Sequence, residues 1–319
     1  MPKNGEFWDF YWEVRLQAMQ DLGKREAILA VSKLIRTLAK HKGSPLRLLE
    51  LGCGEGQIIG ALLDAHPQDC SVTASVGLDY NSHSLEKCHR DYPGLQLVQG
   101  DFTDLQLLSS LGQFEIVLLV NALHEVFSAG YSPELGEVDV PAAKQRVRQA
   151  FTGAAERVAP GGYLALFDGL ETPGDAWEQL RIRFLHPQAR DDFLVFACEY
   201  HPFRVSYQEV GDSYCVELSR RDFTRYITKS IFLGKQLWQS ERLESYQYYN
   251  EAEFRACFES HGLMIQELRT LTVNYDKWSS AVAIETPGVD FPAEHILILA
   301  QNSVDGGSGI PETEQYFNT

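Results

Sequence analysis

The chain has 319 residues, 44% hydrophobic and 23% charged, which is an ordinary globular composition with room for one large domain or two modest ones. Its 28 basic and 44 acidic residues give a formal charge of −16, and because such a field repels phosphate backbones, nucleic acid is not expected as a partner. The six cysteines are scattered without CxxC spacing, which argues against a zinc site or a disulfide scaffold; no metal is predicted, and a reducing cytoplasm is expected.

The N-terminal residues lack the apolar core of a signal peptide, and no stretch approaches the roughly 18 consecutive apolar residues of a membrane span, so no membrane contact is predicted. Residues 6–13 are unusually aromatic, and an amphipathic helical pattern follows until residues 42–45, Lys-Gly-Ser-Pro, end it. The next apolar run, from Leu46 to Leu51, is typical of a buried strand.

That strand leads into three glycines on alternate positions, Gly52, Gly54 and Gly56, and a segment of helix formers follows at once. A strand, a tight glycine turn and a helix start together are typical of a nucleotide-binding corner, where a Cβ would keep the backbone from a ligand.

Further strands are predicted at 73–79, 95–98, 114–120 and 163–168, with helices between them, and their nearly continuous apolar character indicates a parallel sheet covered on both faces. Carboxylates mark the ends of the first three strands, at Glu50, Asp79 and Asp101. Ligands of open α/β sheets bind at this edge. Asp79 is placed to accept hydrogen bonds from two ribose hydroxyls. Asp101 could accept one from the exocyclic amine of adenine, with Tyr80 or Phe102 packed on the base. These positions predict a nucleoside ligand.

The alternation of strands and helices then pauses. Residues 171–249 contain a predicted hairpin, 203–209 with 213–218, and a helix over 220–237 that begins with Ser219 and Asp222 as a capping box. A helix over 252–261 and strands at 263–270 and 293–300 complete the pattern before a glycine-rich tail that is expected to be flexible.

The glycine spacing separates two kinds of nucleoside cofactor. A dinucleotide corner has GxGxxG, whereas this loop has Gln57 in place of the third glycine, and its carboxylate would repel a pyrophosphate but suits a cationic ligand. At this point the chain resembles the class I S-adenosylmethionine-dependent methyltransferases. The resembling segments are residues 50–56 (Glu-Leu-Gly-Cys-Gly-Glu-Gly), 77–79 (Gly-Leu-Asp), 100–102 (Gly-Asp-Phe), 121–125 (Asn-Ala-Leu-His-Glu) and 159–163 (Ala-Pro-Gly-Gly-Tyr).

The resemblance implies a Rossmann-like, doubly wound α/β sheet of seven strands whose last strand is antiparallel, with an α+β lid insertion after strand five. It divides the chain into an N-terminal helical lid or cap (1–44), a cofactor-binding core (45–170), a substrate-cover insertion (171–249), a completion of the core sheet (250–302) and the tail (303–319). The cofactor would be S-adenosyl-L-methionine, with S-adenosyl-L-homocysteine as product. The cofactor-binding residues that it implies are Glu50, Gly52, Cys53, Gly54, Gly56, Asp79, Tyr80, Asp101, Phe102, Asn121 and Ala122.

Methyl transfer needs a positioned nucleophile and, where that nucleophile carries a proton, a base. His124 is the candidate base and Glu125 could orient it or replace it, although His124 could equally just line the cofactor pocket. Candidate substrate residues are Tyr11 and Arg15 in the N-terminal lid and Tyr200, His201 and Tyr207 in the aromatic insertion.

The predicted function is transfer of a methyl group to oxygen or nitrogen of a small, apolar or aromatic molecule by a cytoplasmic monomer or homodimer. The alternatives are a methyltransferase acting on protein or RNA, an NAD-dependent oxidoreductase, and a non-catalytic cofactor-binding protein.

Overall fold

A computed structural model describes residues 22–172 and 174–303 of the chain. The α-helices are α1 (Leu22–His41), α2 (Gln57–Ala65), α3 (Ser82–Asp91), α4 (Leu105–Ser110), α5 (Leu123–Ser128), α6 (Val140–Ala155), α7 (Pro187–Glu199), α8 (Arg220–Ser230), α9 (Trp238–Glu241), α10 (Glu251–Ser260) and α11 (Tyr275–Ala281). The strands are β1 (Leu48–Leu51), β2 (Val76–Asp79), β3 (Gln96–Gln99), β4 (Phe114–Val120), β5 (Tyr131–Ser132), β6 (Glu137–Val138), β7 (Val158–Gly169), β8 (Gln179–Phe184), β9 (Tyr207–Val210), β10 (Asp212–Ser219), β11 (Leu263–Leu271), β12 (Val282–Ile284) and β13 (His295–Asn302).

Seven strands form the central sheet, in the order β11-β13-β7-β4-β1-β2-β3. Strand β13 runs antiparallel to both of its neighbours, whereas β4 is parallel to β1 and β7 and β2 is parallel to β1 and β3. The predicted Rossmann-like sheet with an antiparallel last strand is confirmed.

Both faces of the sheet are covered, as the continuous apolar strands predicted. All seven residues of β4 are buried, and they alternate between two cores: Ile116 and Leu118 pack with α1 and α2, while Val117 and Leu119 pack with α6 and the insertion. Burial of apolar side chains on both faces is the main favourable contribution to folding.

The strand order reverses at β1, with β2 and β3 on one side and β4 and β7 on the other. Such a switch point leaves a crevice at the carboxyl ends of the strands, because the connecting helices leave in opposite directions. The glycine loop after β1 and the segment after β4, residues 121–125, meet at this crevice.

Three strands of the insertion after β7 and strand β12 form a second, antiparallel sheet in the order β12-β8-β10-β9, packed with α7 and α8. The predicted hairpin is present, but its first strand begins at Tyr207 and not at residue 203, and β8 and α7 were not predicted. The prediction of a helix over 220–237 was too long: α8 ends at Ser230, and Gly234 has a positive φ of 71° that a continuing helix would not adopt. Ser219 caps α8, its Oγ accepting a hydrogen bond from the Asp222 backbone N at 3.0 Å.

Within the described ranges, no helix combines the length and the apolar character that crossing a membrane requires.

Candidate active site

The glycine loop after β1 is held by backbone hydrogen bonds to the neighbouring strand. The backbone N–H groups of Gly52 and Cys53 both donate to Leu78 O, at 2.8 and 3.0 Å. Gly52, Gly54 and Gly56 have φ of 78°, 54° and 76°, in the left-handed region that favours glycine. A Cβ on Gly56 would also lie 2.3 Å from the Cys88 sulfur. The loop therefore depends on glycine for both its conformation and its packing.

Asp79, at the end of β2, is tied to this loop. Its Oδ2 accepts from Gly54 N and its Oδ1 accepts from Asn81 N, both at 2.8 Å, and the side chain is buried. The two amides hold the carboxylate in a fixed orientation at the crevice. Since a carboxylate oxygen can accept more than one hydrogen bond, this orientation leaves the group suitable for binding hydroxyls.

Glu50 lies deeper, beneath the loop, and its Oε2 accepts from Ile59 N at 3.0 Å. Burial raises the pKa of Glu50 to about 8, and nearby Asp79 raises it further, against the lowering effects of the Ile59 amide and Lys24. At neutral pH the free protein therefore holds Glu50 mainly in its neutral form.

A cavity at the switch point, here called the cofactor cavity, brings most of the predicted site residues together. Asn121 enters it with a φ of 51°, a left-handed conformation that is uncommon outside glycine. The cavity is lined by Lys24, Glu50, Gly52, Cys53, Gln57, Ile58, Asp79, Tyr80, Ser84, Phe102, Val120, Asn121, Ala122, His124 and Glu125.

Asp101 lies apart from this set. It is exposed, its Oδ1 accepts from Thr103 N at 2.8 Å, and it lines an adjoining cavity, here called the side cavity. The side cavity shares Tyr80, Phe102 and Glu125 with the cofactor cavity, so Asp101 lies just beyond the rim.

The candidate substrate residues of the insertion do not line either cavity within the described chain. Tyr200 is buried against Phe196, His201 is exposed with its ring 4.0 Å from that of Tyr131, and Tyr207 packs on Phe193. Tyr11 and Arg15 lie outside the described residues.

His124 forms a buried pair with Asp168, which the sequence analysis did not select. Its Nδ1 lies 2.7 Å from Asp168 Oδ1, and the same carboxylate accepts from the backbone N–H groups of Leu123 (2.8 Å) and Gly169 (2.8 Å). Asp168 is fully buried at the end of β7. Asp168 is the acidic residue that ends the fifth predicted strand, and this position is the signal in the sequence that points to it.

The segment 244–248 covers this pair from the insertion. The Tyr246 ring meets the His124 ring edge-on at 4.1 Å, and Tyr246 OH donates to Glu241 Oε2 at 2.9 Å. The same oxygen accepts from Lys229 Nζ at 2.9 Å, in an ion pair whose two side chains are 0% and 1% exposed. A buried ion pair contributes little net stability. What this pair does in the structure is hold Tyr246 in a fixed position against His124.

Glu244 brings a third carboxylate close to the imidazole, with Oε2 3.9 Å from His124 Nε2. A ring nitrogen of His124 and one carboxylate oxygen each of Glu125 and Glu244 all lie within 4.8 Å of one another. This group of three side chains could hold a metal ion. Asp168 on the opposite ring nitrogen is the kind of partner that metal-binding histidines use.

The cofactor cavity fits S-adenosylmethionine, the cofactor that the resemblance implied. The buried Gln57 Nε2 has no hydrogen-bond partner in the described chain, and this donor and Lys24 suit a carboxylate. Glu50 and Asp79 supply acceptors for an ammonium group and for ribose hydroxyls. The cavity thus offers a group for each polar part of the cofactor.

Comparison with known proteins identifies the region that builds this cavity. Residues 48–137 match the family model described as "Methyltransferase domain". No curated protein matches the chain.

Solved structures with a similar arrangement include an S-adenosylmethionine-dependent methyltransferase from Mesorhizobium loti. It is 14% identical with a TM-score of 0.44, and the alignment covers 81% of this chain and 91% of that one. The N-methyltransferase NodS from Bradyrhizobium japonicum, solved with S-adenosyl-L-homocysteine, is 10% identical with a TM-score of 0.41 and 86% of both chains covered. Magnesium protoporphyrin IX methyltransferase (ChlM) from Synechocystis, also solved with that product, is 11% identical with a TM-score of 0.46, and 88% and 84% of the two chains are covered.

These TM-scores lie below 0.5, so the three likenesses say nothing about the methyl acceptor of this chain. The family match and the loop geometry concern the same residues, from β1 through the glycine corner to β6. Residues 48–137 therefore match a methyltransferase domain, and they lie in the Rossmann-like sheet that is typical of class I methyltransferases.

Proposed function

We propose that this protein transfers a methyl group from S-adenosylmethionine to an oxygen or nitrogen atom of a small, apolar or aromatic molecule, with His124 as the base. The observation that carries the proposal is the 2.7 Å contact between His124 Nδ1 and the fully buried Asp168, at the wall of the cofactor cavity. This contact supports the role of a base because Asp168 occupies Nδ1 and leaves Nε2 of the same ring for a proton.

When bound, S-adenosylmethionine supplies a methyl carbon activated by the adjacent positive sulfur, so the chain's own residues have mainly to position the acceptor and take its proton. In this proposal the glycine loop and Gln57 hold the amino-acid end, Glu50 accepts from its ammonium group, and Asp79 accepts from the ribose hydroxyls. Tyr80, Phe102 and Asp101 would hold the adenine, and Asn121 and Ala122 would line the sulfonium end of the cavity.

Asp168 determines which nitrogen of His124 is available. A hydrogen on Nδ1 is donated to Asp168 Oδ1, which leaves the lone pair of Nε2 for the acceptor's proton. Glu244 Oε2, 3.9 Å from Nε2, and Asp168 then flank the imidazolium that forms. Glu125 lines the same cavity and assists by orienting the acceptor or by taking the proton in place of His124.

The side cavity supports a small acceptor. Its volume of about 570 Å³ is within the range of pockets that bind small molecules. It adjoins the cofactor cavity along Phe102 and Glu125. Val126 and Leu243 contribute apolar wall, while Glu244 reaches from it towards His124.

The proposal is tested first by binding and then by turnover. Titration calorimetry should show micromolar or tighter binding of S-adenosylhomocysteine and no response to NADH, whereas a response to NADH alone would refute the methyltransferase assignment. A screen of phenols, amines and carboxylates with radiolabelled cofactor then identifies the acceptor. Arg220→Gln, a variant remote from both cavities, is the control in this screen. Methylation of protein or RNA but of no small molecule in the same screen would contradict the proposed acceptor class.

A further inference from the structure

A third cavity lies between the insertion and the core segment 127–144, separate from the site described above. This insertion cavity has a volume of about 390 Å³ and is lined by Phe127, Phe203, Tyr248 and Arg204. It is also lined by two ion pairs, Arg221 with Glu171 and Arg225 with Asp222. Within the described chain it shares no lining residue with the cofactor cavity or the side cavity. Its volume is that of a pocket for a small organic molecule.

Buried polar atoms without a hydrogen-bond partner gather around this space. Arg225 Nε and Gln247 Oε1 are both buried, both belong to lining residues, and neither has a hydrogen-bond partner among the described residues. Buried polar groups in folded proteins are nearly always hydrogen-bonded, and leaving one unsatisfied costs about 1–3 kcal/mol. Two such atoms at one cavity indicate that a polar molecule completes it.

The amide orientation of Gln247 follows from its neighbours. Thr228 Oγ1 donates its only hydrogen to Thr224 O at 2.7 Å, so it must accept from Gln247 Nε2, which lies 3.0 Å away. The unpartnered atom is therefore the carbonyl Oε1, which requires a donor such as a hydroxyl or amino group.

The cationic side chains of the cavity define the other end of the ligand. The Arg225 guanidinium is buried, stacks 3.8 Å above the Phe203 ring and donates from Nη1 to Asp222 at 3.1 Å, which leaves its Nε–H directed at no acceptor. Arg204 is exposed at the mouth, and no described residue forms an ion pair with it. Guanidinium groups bind planar carboxylates particularly well, and the Phe127, Phe203 and Tyr248 rings form flat apolar walls.

We infer that the insertion cavity binds a small aromatic carboxylate that also carries a hydroxyl or amino group. The carboxylate lies against Arg225 and Arg204, the ring lies between the aromatic walls, and the hydroxyl or amino group donates to Gln247 Oε1.

The site also adjoins the catalytic histidine pair from behind. Tyr248 lines the insertion cavity, and burial together with the nearby Asp168 carboxylate raises the pKa of its hydroxyl well above its usual range. A ligand hydrogen-bonded to Tyr248 would therefore lie one side chain away from the partner of His124.

The test is a binding measurement on the full-length protein with 4-hydroxybenzoate as the probe and S-adenosylhomocysteine present at saturation. We expect a Kd below about 1 mM for 4-hydroxybenzoate and several-fold weaker binding of benzoate, which lacks the donor for Gln247. Arg225→Lys, which keeps the charge but loses the planar fork, should weaken 4-hydroxybenzoate at least about tenfold. Gln247→Leu should make the two probes bind equally.

Two further variants keep the test decisive. Arg204→Gln alters an exposed side chain and should weaken the probe about threefold or more without affecting folding, whereas Arg220→Gln, on the same helix as Arg225 but outside the cavity, should leave binding unchanged. The inference is overturned if the wild-type protein does not bind 4-hydroxybenzoate at about 10 mM. It is also overturned if the Arg204 and Arg225 variants bind this probe as tightly as the wild type does, or if inorganic phosphate binds as tightly as 4-hydroxybenzoate. S-adenosylhomocysteine affinity is measured separately, so failure here leaves the methyltransferase proposal standing.

Discussion

Binding of the cofactor should depend on pH through Glu50. Because burial raises its pKa to about 8, Glu50 is mostly neutral in the free protein at pH 7. In the proposed complex it accepts from the ammonium group of the cofactor, and an adjacent positive charge favours the ionised carboxylate. Binding must then release the proton of Glu50.

The size of the effect follows from that pKa. A carboxyl group with a pKa of about 8 is ionised in about one molecule in a hundred at pH 6, one in eleven at pH 7 and one in two at pH 8. If only the ionised form binds, affinity should rise about tenfold from pH 6 to 7 and about fivefold from pH 7 to 8, and about 0.9 protons should be released per ligand at pH 7. At pH 7 the required ionisation costs about 1.4 kcal/mol of binding free energy.

The assay is titration calorimetry of S-adenosylhomocysteine across this pH range, in two buffers of different ionisation enthalpy so that released protons are counted. Glu50→Gln should bind with nearly the same affinity at every pH, while Asp101→Asn, a carboxylate at the rim, should keep the wild-type slope. Wild-type affinity that is flat from about pH 6 to 8, or a proton count near zero at pH 7, would refute the reasoning.

Four other outcomes follow from the same structure. Asp79→Ala removes the acceptor that orients Gly54 and should weaken S-adenosylhomocysteine at least about tenfold, or about 1.4 kcal/mol, in calorimetry; unchanged affinity would remove Asp79 from the site. His124→Ala and Asp168→Asn should each lower turnover of an identified acceptor by about 10²–10⁴-fold, with cofactor affinity within about threefold, and equal losses in both quantities would make His124 a lining residue. Lys229→Met leaves its buried carboxylate partner unpaired and should lower the free energy of unfolding by about 3–5 kcal/mol in urea denaturation, whereas removing both charges should restore much of it. Since the unfolded carboxyl ionises near 4.5 and the folded one near 8, Glu50 destabilises the free protein increasingly as pH rises between these values, so Glu50→Gln should raise the melting temperature more at pH 8 than at pH 5.

The elements that the sequence predicted well are those determined by local pattern. Strand β4 was predicted with its observed bounds because Phe114–Val120 is apolar throughout except for one glutamate. The glycine corner was recognisable because Gly52, Gly54 and Gly56 adopt conformations that other residues avoid. Asp79 and Glu50 followed from their positions at strand ends.

The insertion was predicted less well, and for two different reasons. Strand β8 does carry the signal of a half-buried strand, since Leu180, Ile182 and Phe184 are buried in alternation with more exposed neighbours, so it could have been found. The end of α8 could not be read from helix periodicity, because the sequence after Ser230 remains apolar. Gly234 was the better guide to where the helix stops.

The side chains that decide the chemistry were harder to find because they depend on packing between distant segments. His124 was chosen from its position after β4, but whether it acts as a base or only lines the cavity depends on Asp168, 44 residues away. Tyr246 and Glu244 reach the same imidazole only because Lys229 and Glu241 hold segment 244–248 against it. None of these six residues forms a motif with another, so a pattern search along the chain had nothing to detect. A strand-end acid such as Asp168 can be anticipated, whereas a buried lysine that positions a tyrosine becomes visible only in the folded protein.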